Sequence, residues 1–242
     1  MPFDSGKYVG AGERAQLLND LYRHHAAVNV LRAALTHPLV GRVALVSSFG
    51  AESVVLLHMI SKIAPDAPVL LIDTQMLFPE TLQYQADVAS ELGLTNVQRI
   101  SSGILETEDP QNALHQSDPD LCCHIRKVAP LQNALQPYDA WITGRKRFQT
   151  ANRADLPHFE AETETRLKIN PLAFWTKDDV RDYVINNRLP QHPLVAKGYR
   201  SIGCLPCTAK GEDRMGRWAG QDKTECGIHF VDGHTIRQGA SE

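Results

Sequence analysis

Between residues 42 and 143 the chain alternates short β-branched runs with amphipathic stretches, and that alternation leaves few folds open. Arg42–Ser47 (RVALVS), Ala67–Ile72 (APVLLI), Asn96–Ile100 (NVQRI) and Asp139–Thr143 (DAWIT) read as strands. Glu52–Ala64, Pro79–Leu92 and Leu121–Leu135 lie between them and read as helices. Strands joined by helices of this length pair in parallel through right-handed crossovers. The expected fold is therefore α/β: an open, mostly parallel sheet with helices on both faces. Upstream, Leu17, Leu18, Leu21, Val28, Leu31 and Leu35 recur at helical spacing, which predicts a helix over 12–36 packed on the sheet. After Gly144, RKRFQTANRADLPHFE reads as a surface loop, and Thr176 with Asp179 three residues on predicts a capped helix running to about Asn187. We expect one α/β domain over residues 1–230 and a flexible C-terminal tail over 231–242.

A formal net charge of −3 and a pI near 6.4 lack the basic excess of a nucleic-acid or membrane-surface binder. No apolar run approaches the roughly 20 residues of a membrane span. The N-terminal MPFDSGKYVGAGER has no apolar signal core, so a cytoplasmic location is expected. The chain has 5 cysteines, all at position 122 or later. That is too few for a disulfide scaffold, and in a reducing compartment it points to metal binding or thiol chemistry.

Ligands of open α/β sheets bind beyond the carboxyl ends of the strands. The first such end is VSSFGAES, Val46–Ser53, whose hydroxyls, glycine and helix-start N–H groups could cradle an anion. It has neither the spacing nor the lysine of a Walker loop. The second strand ends in Asp73 and Thr74, which could read a ribose or an adenine or could cap a helix. Cys122 and Cys123 are adjacent, and Cys204-Leu-Pro-Cys207 supplies a second pair. Four thiolates from two segments suit a [4Fe–4S] cluster or a structural zinc; as small hydrophobes, the adjacent pair could also simply pack in a core. Lys127, Arg214 and Arg217 stand beside these cysteines and are candidate anion ligands, with Arg126 a weaker one. Cys226, in ECGIH, stands apart on a glycine-flanked segment and suits a nucleophile that visits a site and leaves it.

The set CC-x2-RK, WITG, GCLPCT, R-x-G-R-W and ECGIH resembles assimilatory adenylyl-sulfate reductase, within the phosphoadenylyl-sulfate reductase family, from about Ser47 to His229. The resemblance implies an adenine nucleotide alpha-hydrolase-like fold shared with ATP-pyrophosphatase-loop proteins. It implies that Cys122, Cys123, Cys204 and Cys207 ligate a [4Fe–4S] cluster and that Cys226 is the nucleophile. Substrate would be bound by Ser47, Ser48, Gly50, Ser53, Lys127, Gly144, Arg153, Arg214 and Arg217. The implied reaction reduces adenosine 5′-phosphosulfate to sulfite and AMP through an S-sulfocysteine, with thioredoxin or glutaredoxin as reductant. That places the chain in sulfate assimilation and cysteine biosynthesis, as a homo-oligomer with no thioredoxin-like domain expected after His229. The sequence departs from the family pattern at Phe49 in the phosphate loop and at RKRFQTANR after Gly144.

Three other readings remain. The same chemistry could act on 3′-phosphoadenosine 5′-phosphosulfate, with Arg145, Lys146 and Arg147 meeting the 3′-phosphate. An ATP-pyrophosphatase-type nucleotidyltransferase would share the fold and have no use for Cys226. An iron–sulfur or zinc nucleotide sensor would bind nucleotide and form no sulfite.

Overall fold

The computed structural model describes residues 9–212, 215–218 and 227–229. Cys226 and Arg214 lie outside the described residues. Six strands form one sheet in the order β3-β2-β1-β4-β6-β5. They are β1 (Val43–Val46), β2 (Val69–Ile72), β3 (Val97–Ile100), β4 (Ala140–Ile142), β5 (Phe159–Ala161) and β6 (Leu167–Ile169). All neighbours pair in parallel except β5, which runs antiparallel to β6 at one edge. The mostly parallel α/β sheet expected from the sequence is therefore present.

Strand periodicity explains why both faces are covered. Leu45, Val69, Leu71, Ala140, Ile142, Leu167 and Ile169 point into one apolar cluster, which the long helices complete. Their strand neighbours Ala44, Leu70 and Trp141 point the other way, against Leu131 and Leu135. The large cluster is closed by α1 (Ala11–Tyr22), α2 (Ala27–Thr36), α3 (Val54–Ile63) and α4 (Pro79–Leu92). The start of α4 follows from Pro79 at its first turn, and its end from Gly93, whose φ of 67° sits in the left-handed region that closes helices. The predicted Thr176 box is formed: Thr176 Oγ1 accepts from Asp179 N at 3.1 Å and Asp179 Oδ2 accepts from Thr176 N at 2.8 Å, opening α7 (Lys177–Asn186).

Three expectations need correction. Residues 12–36 form two helices, broken between Tyr22 and Ala27, because one segment packs on β5 and the other on α3. Leu17, Leu21 and Val28 are left exposed. The Leu121–Leu135 helix is composite: α5 (Pro119–Cys123), one π-helical turn (His124–Val128) and α6 (Ala129–Ala134). The segment after Gly144 contains two short 3-10 turns and then the β5–β6 hairpin, hidden in a polar stretch. Lys168 in β6 is 3% exposed where its alternation suggests solvent. Its Nζ stands 4.8 Å over the Trp141 ring, and burial next to Arg145 lowers its pKa to about 7. Among the described residues no helix is long and apolar enough to cross a membrane.

Candidate active site

The chain winds β1, β2, β3 to one side and then returns past β1 to lay down β4, so the winding reverses between β1 and β4. Crevices at such reversals are where open α/β sheets take ligands. A cavity of about 440 Å³ sits there, walled by the segments after β1 and β4. Ser47, Ser48, Gly50, Ser53, Lys127, Gly144, Arg153 and Arg217 all line it, as does Cys204. Residues from five separate segments thus line one cavity. Ile228, two residues beyond Cys226, lines the same cavity.

The loop after β1 is tightly wound. Ser47 Oγ accepts from Phe49 N at 3.2 Å, Ser53 Oγ accepts from Gly50 N at 3.0 Å, and the Ser48 and Ser53 hydroxyls lie 3.4 Å apart. Phe49 takes φ of 46°, a left-handed conformation uncommon for a bulky residue, and its ring is wholly buried in the main core. The ring anchors the turn and the serines face the cavity, which accounts for the departure at this position. At Gly50 a Cβ would stand 3.3 Å from Ser48 Oγ and 3.4 Å from the Ile202 carbonyl, so the backbone is packed as closely as a larger residue could tolerate.

Opposite, the loop after β4 is tied to this one through Glu52, which sequence reasoning missed because a Glu at a helix start reads as an ordinary N-terminal acid. Glu52 Oε2 accepts from Lys146 Nζ at 2.6 Å and from Gln149 Nε2 at 3.2 Å. Gln149 Oε1 in turn accepts from Arg153, holding that buried guanidinium at the cavity wall. Arg145 pairs with Glu160, and Arg147 faces a different cavity. Of the two residues that follow β2, Thr74 lines the cavity; Asp73 instead accepts from Gln75 N at 2.9 Å and pairs with Arg99 at 2.5 Å.

The cysteine segments meet beside this cavity. The 204–207 loop docks on the strand exit after β2: Leu205 N donates to Met76 O at 2.7 Å, and Cys204 Sγ lies 3.2 Å from Thr74 Oγ1. Cys123 shares a small cluster with Trp218, against which Cys207 packs. Burial pushes the Cys122 thiol up; Arg126 and Lys127 pull it down, and the nearby Cys204 and Cys207 push it further up. None of the four is in a disulfide. Among the described residues no three metal-ligating side chains converge tightly enough to hold one ion. The donor chemistry nevertheless fits a thiolate-bound iron site: four soft sulfurs from two segments, three buried and Cys207 half-buried, next to cations.

Arg126 has a different role from Lys127. It is 1% exposed; its Nη1 donates to Thr74 O at 2.8 Å, and its Nη2 donates to Asp109 Oδ2 at 2.6 Å and Asn112 Oδ1 at 2.8 Å. It therefore pins the π turn to the exit of β2, leaving Lys127 to line the cavity. A π turn shifts the residues after it by one position, and such turns recur at functional sites. Gly203 marks another close approach, since a Cβ there would collide with the Arg217 guanidinium. That guanidinium also stacks 4.4 Å from the Trp218 ring.

Comparison with known proteins bears on this arrangement. The phosphoadenosine phosphosulfate reductase domain matches residues 42–210. An adenosine 5′-phosphosulfate reductase from Chelativorans sp. (strain BNC1) is 51% identical over 231 residues, covering 93% of this chain and 94% of that protein. One from Mesorhizobium japonicum is 48% identical over 227 residues, covering 91% and 89%. Among solved structures, a phosphoadenylyl-sulfate reductase from Candida auris in complex with phosphate superposes with a TM-score of 0.68 at 29% identity, covering 81% of this chain and 96% of that one.

Proposed function

The chain belongs to the phosphoadenosine phosphosulfate reductase domain family, and on that premise we propose that it reduces adenosine 5′-phosphosulfate to sulfite and AMP, with a dithiol protein of the thioredoxin or glutaredoxin class as reductant. The observation that carries the reading is the cavity at the β1–β4 reversal, where a serine-rich turn, Lys127 and Arg217 converge beside four cysteines. The relatives' names support the same substrate.

In the proposed sequence the Cys226 thiolate attacks the sulfonate sulfur. The S–O bond to the phosphate breaks, AMP leaves with the bonding pair, and Cys226 carries S–SO3⁻. A thiolate of the reduced dithiol protein then attacks the Cys226 sulfur, expelling sulfite. Its second thiol resolves the mixed disulfide, so the two electrons come from the dithiol. The obstacle in the first step is charge. A thiolate 4 Å from another unit anion is repelled by about 4 kcal/mol at an effective dielectric near 20. Lys127 and Arg217, with Arg214, offset that repulsion and stabilise charge arriving on the leaving phosphate. The Ser47–Ser53 turn offers hydroxyls and amides to the same group, and the Glu52–Gln149–Arg153 chain positions one further cation.

Cys122, Cys123, Cys204 and Cys207 would hold a [4Fe–4S] cluster, supplying fixed charge and bracing the two segments. A single zinc at 2.3 Å from each sulfur would draw four sulfurs to about 3.8 Å from one another. A cluster asks less of them, because each thiolate binds its own iron.

Preference for the nucleotide without a 3′-phosphate is supported by the cations after Gly144. Arg145 is paired with Glu160, Lys146 with Glu52, and Arg147 faces away. Assays of anaerobically purified protein with a reduced thioredoxin test this directly. The kcat/KM for adenosine 5′-phosphosulfate should exceed that for the 3′-phosphorylated nucleotide by at least about 100-fold, equivalent to about 2.7 kcal/mol. The preparation should be brown and hold about four irons per chain. Equal use of both nucleotides contradicts the substrate assignment, and a colourless protein with stoichiometric zinc contradicts the cluster.

A further inference from the structure

A second cavity, of about 660 Å³, opens on the other side of the Arg145–Arg153 segment, between the end of α1 and the residues flanking β5 and β6. It lies within the size range of small-molecule sites. Among the described residues no carboxylate lines it. Its wall carries Arg23, His24 and His25 from the break between α1 and α2, Arg147 and His158 from the loop, and the aromatic pair Phe174 and Trp175. Arg23 pairs with Asp20 at 2.9 Å and both side chains are exposed, whereas Arg147 and His158 are held in place by the surrounding fold.

Arg147 is held by its inner edge. Its backbone N donates to Ala173 O at 3.0 Å, its Nε donates to Leu156 O at 2.9 Å, and its guanidinium carbon lies 3.9 Å from the Phe174 ring centroid. Among the described residues its two Nη groups have no hydrogen-bond partner, so an unpaired fork remains on a residue that lines the cavity. His158 is 4% exposed, and its ring packs edge-on against Phe174 at 4.6 Å. Its Nδ1 is 3.0 Å from the Asn170 carbonyl, an acceptor, so Nδ1 carries the proton. Among the described residues Nε2 has no hydrogen-bond partner, which leaves an unpaired ring nitrogen on a buried side chain that lines the cavity. Burial pushes the imidazole below its ordinary pKa; the hydrogen bond to Asn170 opposes this and the charge of Arg147 adds to it. With Nδ1 donating to the Asn170 carbonyl, Nε2 of the neutral ring is the acceptor.

We propose that this cavity is a binding site for a phosphomonoester attached to a planar ring, with the phosphate on the Arg147 fork and His158 Nε2, and the ring against Phe174 and Trp175. A fork of donors calls for an anion, but a neutral imidazole acceptor calls for an anion that brings a proton. A phosphomonoester, with a second pKa of about 6, can do so near neutral pH. A sulfate monoester of the same shape cannot. The proposal is independent of the sulfonucleotide chemistry at the first cavity, which Arg147 and His158 do not line.

The three tryptophans separate the two cavities: Trp175 lines this one, whereas Trp141 and Trp218 line the first. Protein labelled with 5-fluorotryptophan, its Trp175 resonance assigned with Trp175→Phe, is titrated at pH 6.5 with phenyl phosphate and with phenyl sulfate. Phenyl phosphate should move the Trp175 line saturably, with half-saturation below about 1 mM. Phenyl sulfate should bind at least about tenfold more weakly, and Arg147→Gln should weaken phenyl phosphate at least about tenfold. If Arg147→Gln disturbs the unliganded spectrum, His158→Asn decides instead, since its amide keeps the bond to Asn170 O and removes only Nε2. A Trp175 line that stays fixed to 10-fold above that concentration overturns the proposal. So do equal binding of the two esters and unchanged affinity in the deciding variant.

Discussion

Replacing Cys226 with serine should abolish sulfite formation, lowering kcat by at least about 10³-fold while leaving nucleotide affinity within a few-fold of the parent. The hydroxyl is nearly isosteric with the thiol, but at neutral pH it is not an anion and cannot displace AMP from sulfur. It also cannot carry the sulfonate to a dithiol, because sulfite leaves only when a sulfur–sulfur bond is cleaved. Lys127, Arg217 and the serine turn are untouched by the change, so binding should survive it. Assay of sulfite and of nucleotide binding on the same preparation checks both halves. Retained turnover would end the reductase reading and favour a nucleotidyltransferase, which shares the fold without needing this thiol.

The second large effect concerns stability. Arg126→Ala should cost about 3–5 kcal/mol in urea unfolding, because it strands the Asp109 carboxylate in the interior. The pair has side-chain exposures of 1% and 3%, and among the described residues Asp109 makes no other ion pair. Asp109 also accepts from the backbone N–H groups of Ala113 at 2.8 Å and Leu114 at 3.2 Å, and these bonds together with Arg126 outweigh burial and hold its pKa below the ordinary value. A depressed carboxylate contributes its stability in full above the unfolded-state pKa near 4, and loses it as pH falls through the lower folded-state value. The deficit of the variant should therefore be complete at pH 7 and shrink only in that acid window. The double variant Arg126→Leu with Asp109→Leu should recover most of the loss, since neither charge remains buried alone. A loss below about 1 kcal/mol at pH 7 for Arg126→Ala contradicts this account of the pair. Because the same residue pins the π turn that follows directly on Cys122 and Cys123 and carries Lys127, the iron of the proposed cluster should be released from the variant before global unfolding.

Much of the central sheet is legible in the residue pattern, and the reason is local. β1, β2 and β4 are short apolar runs, α4 carries its own proline start and glycine stop, and α7 carries its own box, so each element is specified within a few residues. The β5–β6 hairpin escapes notice because its strands are three residues each, and the stretch between them is charged and polar. Lys168 misleads further: its burial depends on Trp141, which lies 27 positions earlier in the chain, and on Glu162. The break between α1 and α2 has no proline or glycine to announce it and follows from what each half packs on. In the site, the motif residues are legible because they are chemically unusual where they stand. Glu52, Gln149 and Asp109 are ordinary residues whose roles depend on partners that the chain supplies far away, as with Glu52 and Lys146, 94 positions apart.

The central claim is that Cys226 accepts a sulfonate from an activated nucleotide, and intact-protein mass spectrometry tests it most directly. Protein incubated with adenosine 5′-phosphosulfate alone, without any dithiol, should gain about 80 Da, the mass of SO3, on the peptide containing Cys226, with AMP released in equal amount. Adding reduced thioredoxin should remove the adduct and release sulfite. AMP appearing while the Cys226 peptide keeps its original mass would contradict the account.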